Sequence, residues 1–144
     1  MRLRSRNFED GGRIPSEFTC DGRDVSPQHS WEDAPDGTKS FALSVADPDA
    51  SGGTFIHWLV YDIPEDVNEV EQGSLPEGAK QVRNDFGKKE YGGPCPPSGT
   101  HRYVFTLYAL DIEHLEGVNG YNFFEKVEEH TLSKAELMGL YKRR

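Results

Sequence analysis

The sequence predicts a mainly β domain: a β-sandwich with a few short helices gathered toward the C-terminus. Three observations carry this. The segment KSFALSV alternates, with Phe41, Leu43 and Val45 on one face and Ala42 and Ser44 on the other. TFIHWLVYDIP is apolar on both faces, as a strand covered from two sides must be, and places Phe55, Leu59, Tyr61 and Ile63 on the side of His57. HRYVFTLYALD alternates again, His101, Tyr103, Phe105, Leu107 and Ala109 against Val104, Thr106, Tyr108 and Leu110.

The connections follow from turn chemistry. DPDASGG ends the first strand at Pro48 and a glycine pair. Residues 65–91 are polar and punctuated by Gly73, Pro76, Gly78 and Gly87, so they read as long connections holding short strand pieces. In GGPCPPSGTHRY, prolines fix φ while glycines open it, which makes a stiff loop leading straight into a strand. Helical spacing is confined to the tail from Tyr121, where Phe123, Phe124 and Val127 form a stripe. Ser133, with Glu136 three residues on, has the form of a capping box opening a second helix that turns Leu137 and Leu140 or Tyr141 inward.

With 144 residues and neither repeat nor linker, the chain is read as one domain over 1–144. A net charge of −9 disfavours nucleic acid and anionic membrane surfaces. MRLRSRNFEDGG lacks the apolar segment of a signal peptide and no stretch approaches a membrane span, so the expected location is cytoplasmic, without integral membrane association. Cys20 and Cys95 match no CxxC spacing; two thiols in a reducing cytosol is the favoured reading, and a disulfide between the TCDG and GPCPP loops is the alternative. No metal or other cofactor is expected.

Three polar clusters lie at strand ends. Asp47 and Asp49 flank Pro48 where the first strand stops; His57 sits inside an apolar strand beside Trp58; His101 opens the last strong strand with Tyr103 on the same face. A buried imidazole needs a partner, and a carboxylate from the Asp47–Asp49 loop is the expected one, which would favour the imidazolium. Brought together, two imidazoles, a phenol and loop N–H groups suit a phosphate or carboxylate group, with Trp58, Tyr103 and Phe105 as apolar walls. The competing readings are an enzyme using Asp47, His57, His101 and Cys95 as a zinc site or cysteine–histidine nucleophile, and an interaction protein working through its 65–91 connection. No HExxH or GxSxG motif supports the enzyme.

DPDA, then HW within an apolar strand, then GPCPPSGTHRYVFTLYALD, resemble the phosphatidylethanolamine-binding protein family, also called Raf kinase inhibitor-like proteins, in its short bacterial and archaeal branch. TCDGRDVSPQHSW and HTLSKAELMGLYKR extend the resemblance over nearly the whole chain. It implies two antiparallel sheets and an anion pocket at one rim, formed by Asp47, His57, the Gly93-Pro94 turn, His101 and Tyr103, with Asp49 supporting the loop or touching ligand. It also implies binding without catalysis, a protein kinase or serine protease as partner, and a homodimer. Two features depart from the family pattern: the chain stops at LMGLYKRR without the extra C-terminal helix of mammalian members, and Ser51 follows DPDA where many relatives carry proline. A cis bond before Pro94, Pro96 or Pro97 is a further expectation.

Overall fold

The computed structural model describes residues 1–143. Its strands are β1 (Arg2–Arg4), β2 (His29–Glu32), β3 (Ser40–Asp47), β4 (Phe55–Pro64), β5 (Glu69–Val70), β6 (Lys80–Val82), β7 (His101–Leu110) and β8 (Thr131–Tyr141). They form two antiparallel sheets, a small one ordered β1-β2-β5 and a large one ordered β6-β4-β3-β7-β8. A 3-10 turn spans Ser16–Phe18 and one α-helix, α1, spans Phe123–Glu128.

The alternating patterns build two apolar layers. Phe41, Leu43 and Val45 of β3 and Tyr103, Phe105 and Leu107 of β7 face the small sheet's Leu3, Trp31 and Val70, and this layer is the sandwich core. On the opposite face of the large sheet, Ala42, Leu59, Tyr108 and Leu110 are covered by Phe123 and Val127 of α1 and by Leu115. Phe124, expected in the same stripe, is 38% exposed. Among the described residues, no helix is long and apolar enough to cross a membrane.

β4 does not keep the simple period expected of it. Its register against β3 slips twice: Val45 pairs with Trp58 but Ala46 with Ile56, and Leu43 pairs with Val60 but Phe41 with Ile63. Each slip adds a residue to β4, a β-bulge, and a bulge exchanges the faces that follow it. Leu59 and Tyr61 therefore join the helix-covered layer while Ile63 enters the sandwich core. The first bulge places its extra residue at His57.

The second half of the tail is a strand, not the helix suggested by Ser133 and Glu136. From Thr131 to Tyr141 it pairs with β7 along its whole length, His101 opposite Tyr141 through Leu110 opposite Thr131. Helix-forming Lys, Ala, Glu, Leu and Met residues mask a period of two in which Leu137 and Tyr141 are buried and Lys134 and Glu136 are exposed. Propensity is a weak prior, and ten paired positions on a waiting strand override it. Gly139 belongs to that strand because a Cβ there would strike Ile14 and Phe8.

Candidate functional site

The site begins with the β4 bulge, which turns His57 out of the ladder and toward the end of the large sheet. The chain from Asn84 to Gly93 packs over it. Asn84 is buried and donates through Nδ2 to the carbonyls of His57 (2.9 Å) and Glu90 (2.8 Å), while its Oδ1 accepts from Phe86 N at 3.0 Å. The loop so shaped sets Gly92 O 2.6 Å from His57 Nδ1. A carbonyl can only accept, so Nδ1 carries the ring hydrogen. Asp85 closes the same corner, its Oδ2 accepting from Ile56 N at 2.7 Å.

His57 thus finds a backbone carbonyl in place of the carboxylate expected for it. Asp47 turns instead to His101: His101 Nδ1 lies 2.7 Å from Asp47 Oδ2, with both side chains largely buried. The other oxygen, Oδ1, accepts from Asp49 N at 2.8 Å and so folds DPDA into a local turn. The consequence for His57 is opposite in sign to the sequence expectation. Burial lowers its pKa below the ordinary histidine value, outweighing the Gly92 carbonyl and the Asp47 and Asp24 charges that raise it.

These groups meet in one pocket of about 540 Å3 at the sheet rim. Asp47, His57, His101 and Tyr103 line it, with Phe55 and Phe86 on one side and Cys95, Pro96 and Pro97 on the other. Tyr103 lies between the imidazoles, its ring centroid 5.3 Å from that of His57 and 6.4 Å from that of His101. Its hydroxyl is buried and has no partner at hydrogen-bond geometry among the described residues. Burial, then the Asp47 charge, push its pKa well above the ordinary phenol value, so it stays a protonated donor.

Asp49, Gly93 and Pro94 stand outside the pocket lining. Asp49 is clamped by Arg102, whose Nε reaches Oδ2 at 2.9 Å and whose terminal nitrogen reaches Oδ1 at 2.7 Å, with Arg102 N also on Oδ2 at 2.9 Å. These bonds hold the Asp49 carboxyl well below the usual carboxylate range and fasten the DPDA turn to β7. Gly93 N donates to Asp24 Oδ1 at 2.7 Å, Gly92 N to His57 O at 3.3 Å, and Pro94 O accepts from Cys20 N at 3.1 Å. The loop's first N–H groups are therefore engaged inside the protein rather than presented to the pocket, and Trp58 and Phe105 lie in the core. Among the described residues no peptide bond is cis, including those before Pro94, Pro96 and Pro97.

Gly93 is a positioning residue by this geometry. A Cβ there would meet Phe18 O, Asp24 Oδ1 and Thr19 Cα, two of them backbone atoms that cannot swing aside. Gly93→Ala is expected to lose about 1–3 kcal/mol of stability through overpacking, read as a lower urea midpoint at unchanged m. An unchanged midpoint would show that the loop has room to shift.

The sulfurs of Cys20 and Cys95 are bonded to one another, which corrects the expectation of two free thiols. The disulfide pins the proline wall of the pocket to the loop after the 3-10 turn. It also removes Cys95 as a nucleophile while the bond is intact, since the thiolate is the reactive form.

Comparison with known proteins agrees with this architecture. A family model described as phosphatidylethanolamine-binding protein matches residues 4–142. A protein of Aquifex aeolicus described as a UPF0098 protein is 48% identical over 99% of this chain and 89% of its own length. Another UPF0098 protein, from Methanothermobacter thermautotrophicus, is 47% identical over 99% of both chains. The crystal structure of Escherichia coli YbcL, described as a new member of the mammalian PEBP family, superposes with a TM-score of 0.93 at 32% identity, covering 99% of this chain and 98% of that one. With the fold matched over nearly its whole length and the family model spanning residues 4–142, this chain belongs to the phosphatidylethanolamine-binding protein family.

Proposed function

We propose that the rim pocket binds a small oxyanion or a phosphorylated group, held without turnover. The observation that carries this reading is the buried Tyr103 hydroxyl, which lines the pocket beside two imidazoles, with Asp47 and the Cys95 backbone near it but no partner at hydrogen-bond geometry among the described residues. A buried donor left unpaired costs about 1–3 kcal/mol, and a ligand oxygen would recover it. The imidazoles of His57 and His101 each use Nδ1 on a protein acceptor, which leaves both Nε2 atoms for the ligand. The aromatic and proline walls lower the local dielectric on their side of the pocket and strengthen the polar contacts made against them.

Tyr103→Phe is the most discriminating test. Removing a hydroxyl without a protein partner should leave stability unchanged or raise it, whereas affinity for phosphate or methylphosphonate should fall about 10-fold. His57→Ala and His101→Ala should each weaken binding 10- to 100-fold while circular dichroism shows the β fold intact. Equal affinity in all three variants would place the ligand elsewhere. Release of p-nitrophenol from its phosphate ester, lost in these variants, would overturn the non-catalytic part.

The disulfide bears on location. The expected thiols followed from a cytoplasmic default; a bonded Cys20–Cys95 pair suits surroundings that keep cysteines oxidised. We therefore assign the working form of the protein to such surroundings, and a thiol count on protein taken directly from cells under alkylating conditions tests it. Two reactive thiols per chain would return the protein to a reducing compartment.

A further inference from the structure

The pocket faces an anion without any permanent positive charge. Among its described lining residues there is no Lys or Arg; the fixed charges are the Asp47 and Asp85 carboxylates. Its attraction for an oxyanion must therefore come from neutral donors and imidazoles. His57 is the decisive group, because its Nδ1 donates to a neutral acceptor, Gly92 O at 2.6 Å, whereas His101 Nδ1 already faces the Asp47 carboxylate at 2.7 Å. A neutral His57 thus turns the lone pair of Nε2 into the cavity, and a lone pair repels an anionic oxygen.

The same ring becomes a donor only when Nε2 gains a hydrogen. The charged and titratable groups around it are Asp47 at the end of β3, Asp24 in the loop after the 3-10 turn, Asp85 after β6, and His101 and Tyr103 on β7. The three carboxylates are occupied, Asp47 by His101 and Asp49 N, Asp24 by Gly93 N, Asp85 by Ile56 N. Asp47 and Asp24 favour an imidazolium, yet burial outweighs them and lowers the His57 pKa, which keeps the ring neutral at pH 7 in the empty pocket. A bound oxyanion at Nε2 adds a full opposite charge in a desolvated setting and tips the balance.

We infer that each fully ionised oxyanion enters this pocket together with one proton, which is taken up on Nε2 of His57. The inference rests on the anion-binding reading above and narrows its ligand class to an oxyanion plus a proton, or a ligand that brings its own acidic hydrogen to Nε2. The linkage has a fixed sign. Because binding consumes a proton, affinity for a permanently ionised anion falls as pH rises above the pKa of the empty site, about tenfold per unit, and levels below it.

Sulfate is the probe, because it does not titrate near neutrality and any proton counted belongs to the protein. Calorimetry at pH 6, 7 and 8 in buffers of different ionisation enthalpy should show uptake approaching one proton per sulfate and an affinity falling about tenfold per unit at the upper end. His57→Gln should abolish the uptake and flatten the profile. On the unaltered protein, the 15N resonance of His57 Nε2 should move from the lone-pair to the N–H range when sulfate is added at pH 7. Sulfate binding with no proton uptake, uptake that survives His57→Gln, or an unmoved Nε2 resonance would each overturn the inference while leaving anion binding standing. Failure of sulfate, phosphate and methylphosphonate alike at every pH would instead remove the anion-binding reading and this inference with it.

Discussion

Reducing the disulfide between Cys20 and Cys95 should lower the free energy of unfolding by about 4.5 kcal/mol, the value the chain-entropy relation gives for so long a closed loop. The two cysteines are 75 residues apart, and the loop they close contains β2 through β6, more than half the chain. In the unfolded state the bond denies those residues much of their freedom; in the folded state it joins two loops that also meet through Cys20 N on Pro94 O at 3.1 Å. That backbone contact survives reduction, so the loss falls on the unfolded chain and the fold itself should persist. Urea unfolding with and without a reductant should show the midpoint falling, and a Cys20→Ala/Cys95→Ala double variant should match the reduced protein. A change below 1 kcal/mol would mean that the unfolded chain keeps these segments together without the bond.

The strands most legible in the sequence were those whose side chains see two different surroundings. β3 and β7 each separate a sandwich-core face from a helix-covered face, so their alternation could be read directly from Phe41, Leu43 and Val45 and from Tyr103, Phe105 and Leu107. β8 was not legible. Its first half alternates exposed Leu132, Lys134 and Glu136 with half-buried residues, and its strand character comes from its neighbour β7 rather than from its own residues. In the candidate site, Asp47, His57, His101 and Tyr103 do line one pocket, but their pairings could not be anticipated. Which acceptor His57 meets is decided by a bulge in β4 and by Asn84, which folds the 84–93 loop onto it. A bulge leaves no mark in a run of apolar residues. The Asx-type bonds of Asn84 to Phe86 N and Lys88 N are the one sequence-level hint, an Asn-Asp pair ahead of Gly87. Gly93 and Pro94 carried a binding role by resemblance, whereas their contacts here are those of residues that hold the loop in place.

A second large effect concerns His29, a histidine outside the pocket. It lies on β2, 1% exposed, with its ring centroid 5.4 Å from Phe105 and 6.3 Å from Trp58, both edge-on. Neither ring nitrogen has a partner at hydrogen-bond geometry among the described residues. Burial lowers its pKa from 6.5 to about 4, and the nearby backbone of Gln28 and Pro27 opposes the shift only in part. The folded value lies below the unfolded one, so between those limits the unfolded chain binds the extra proton and the folded chain does not. Stability from this residue is thus complete above pH 6.5 and declines as the pH falls toward 4, by about 3 kcal/mol in all. His29→Leu keeps an apolar group of comparable size and has nothing to protonate. Its unfolding free energy should match or exceed that of the unaltered protein at pH 7.5, since an unpaired buried N–H is removed. Its advantage should then widen by about 3 kcal/mol on going to pH 4, because every other titrating group is common to the two proteins. Parallel pH profiles of the two would show that the His29 ring gains a partner when it protonates, and that the core between the sheets admits water at that point.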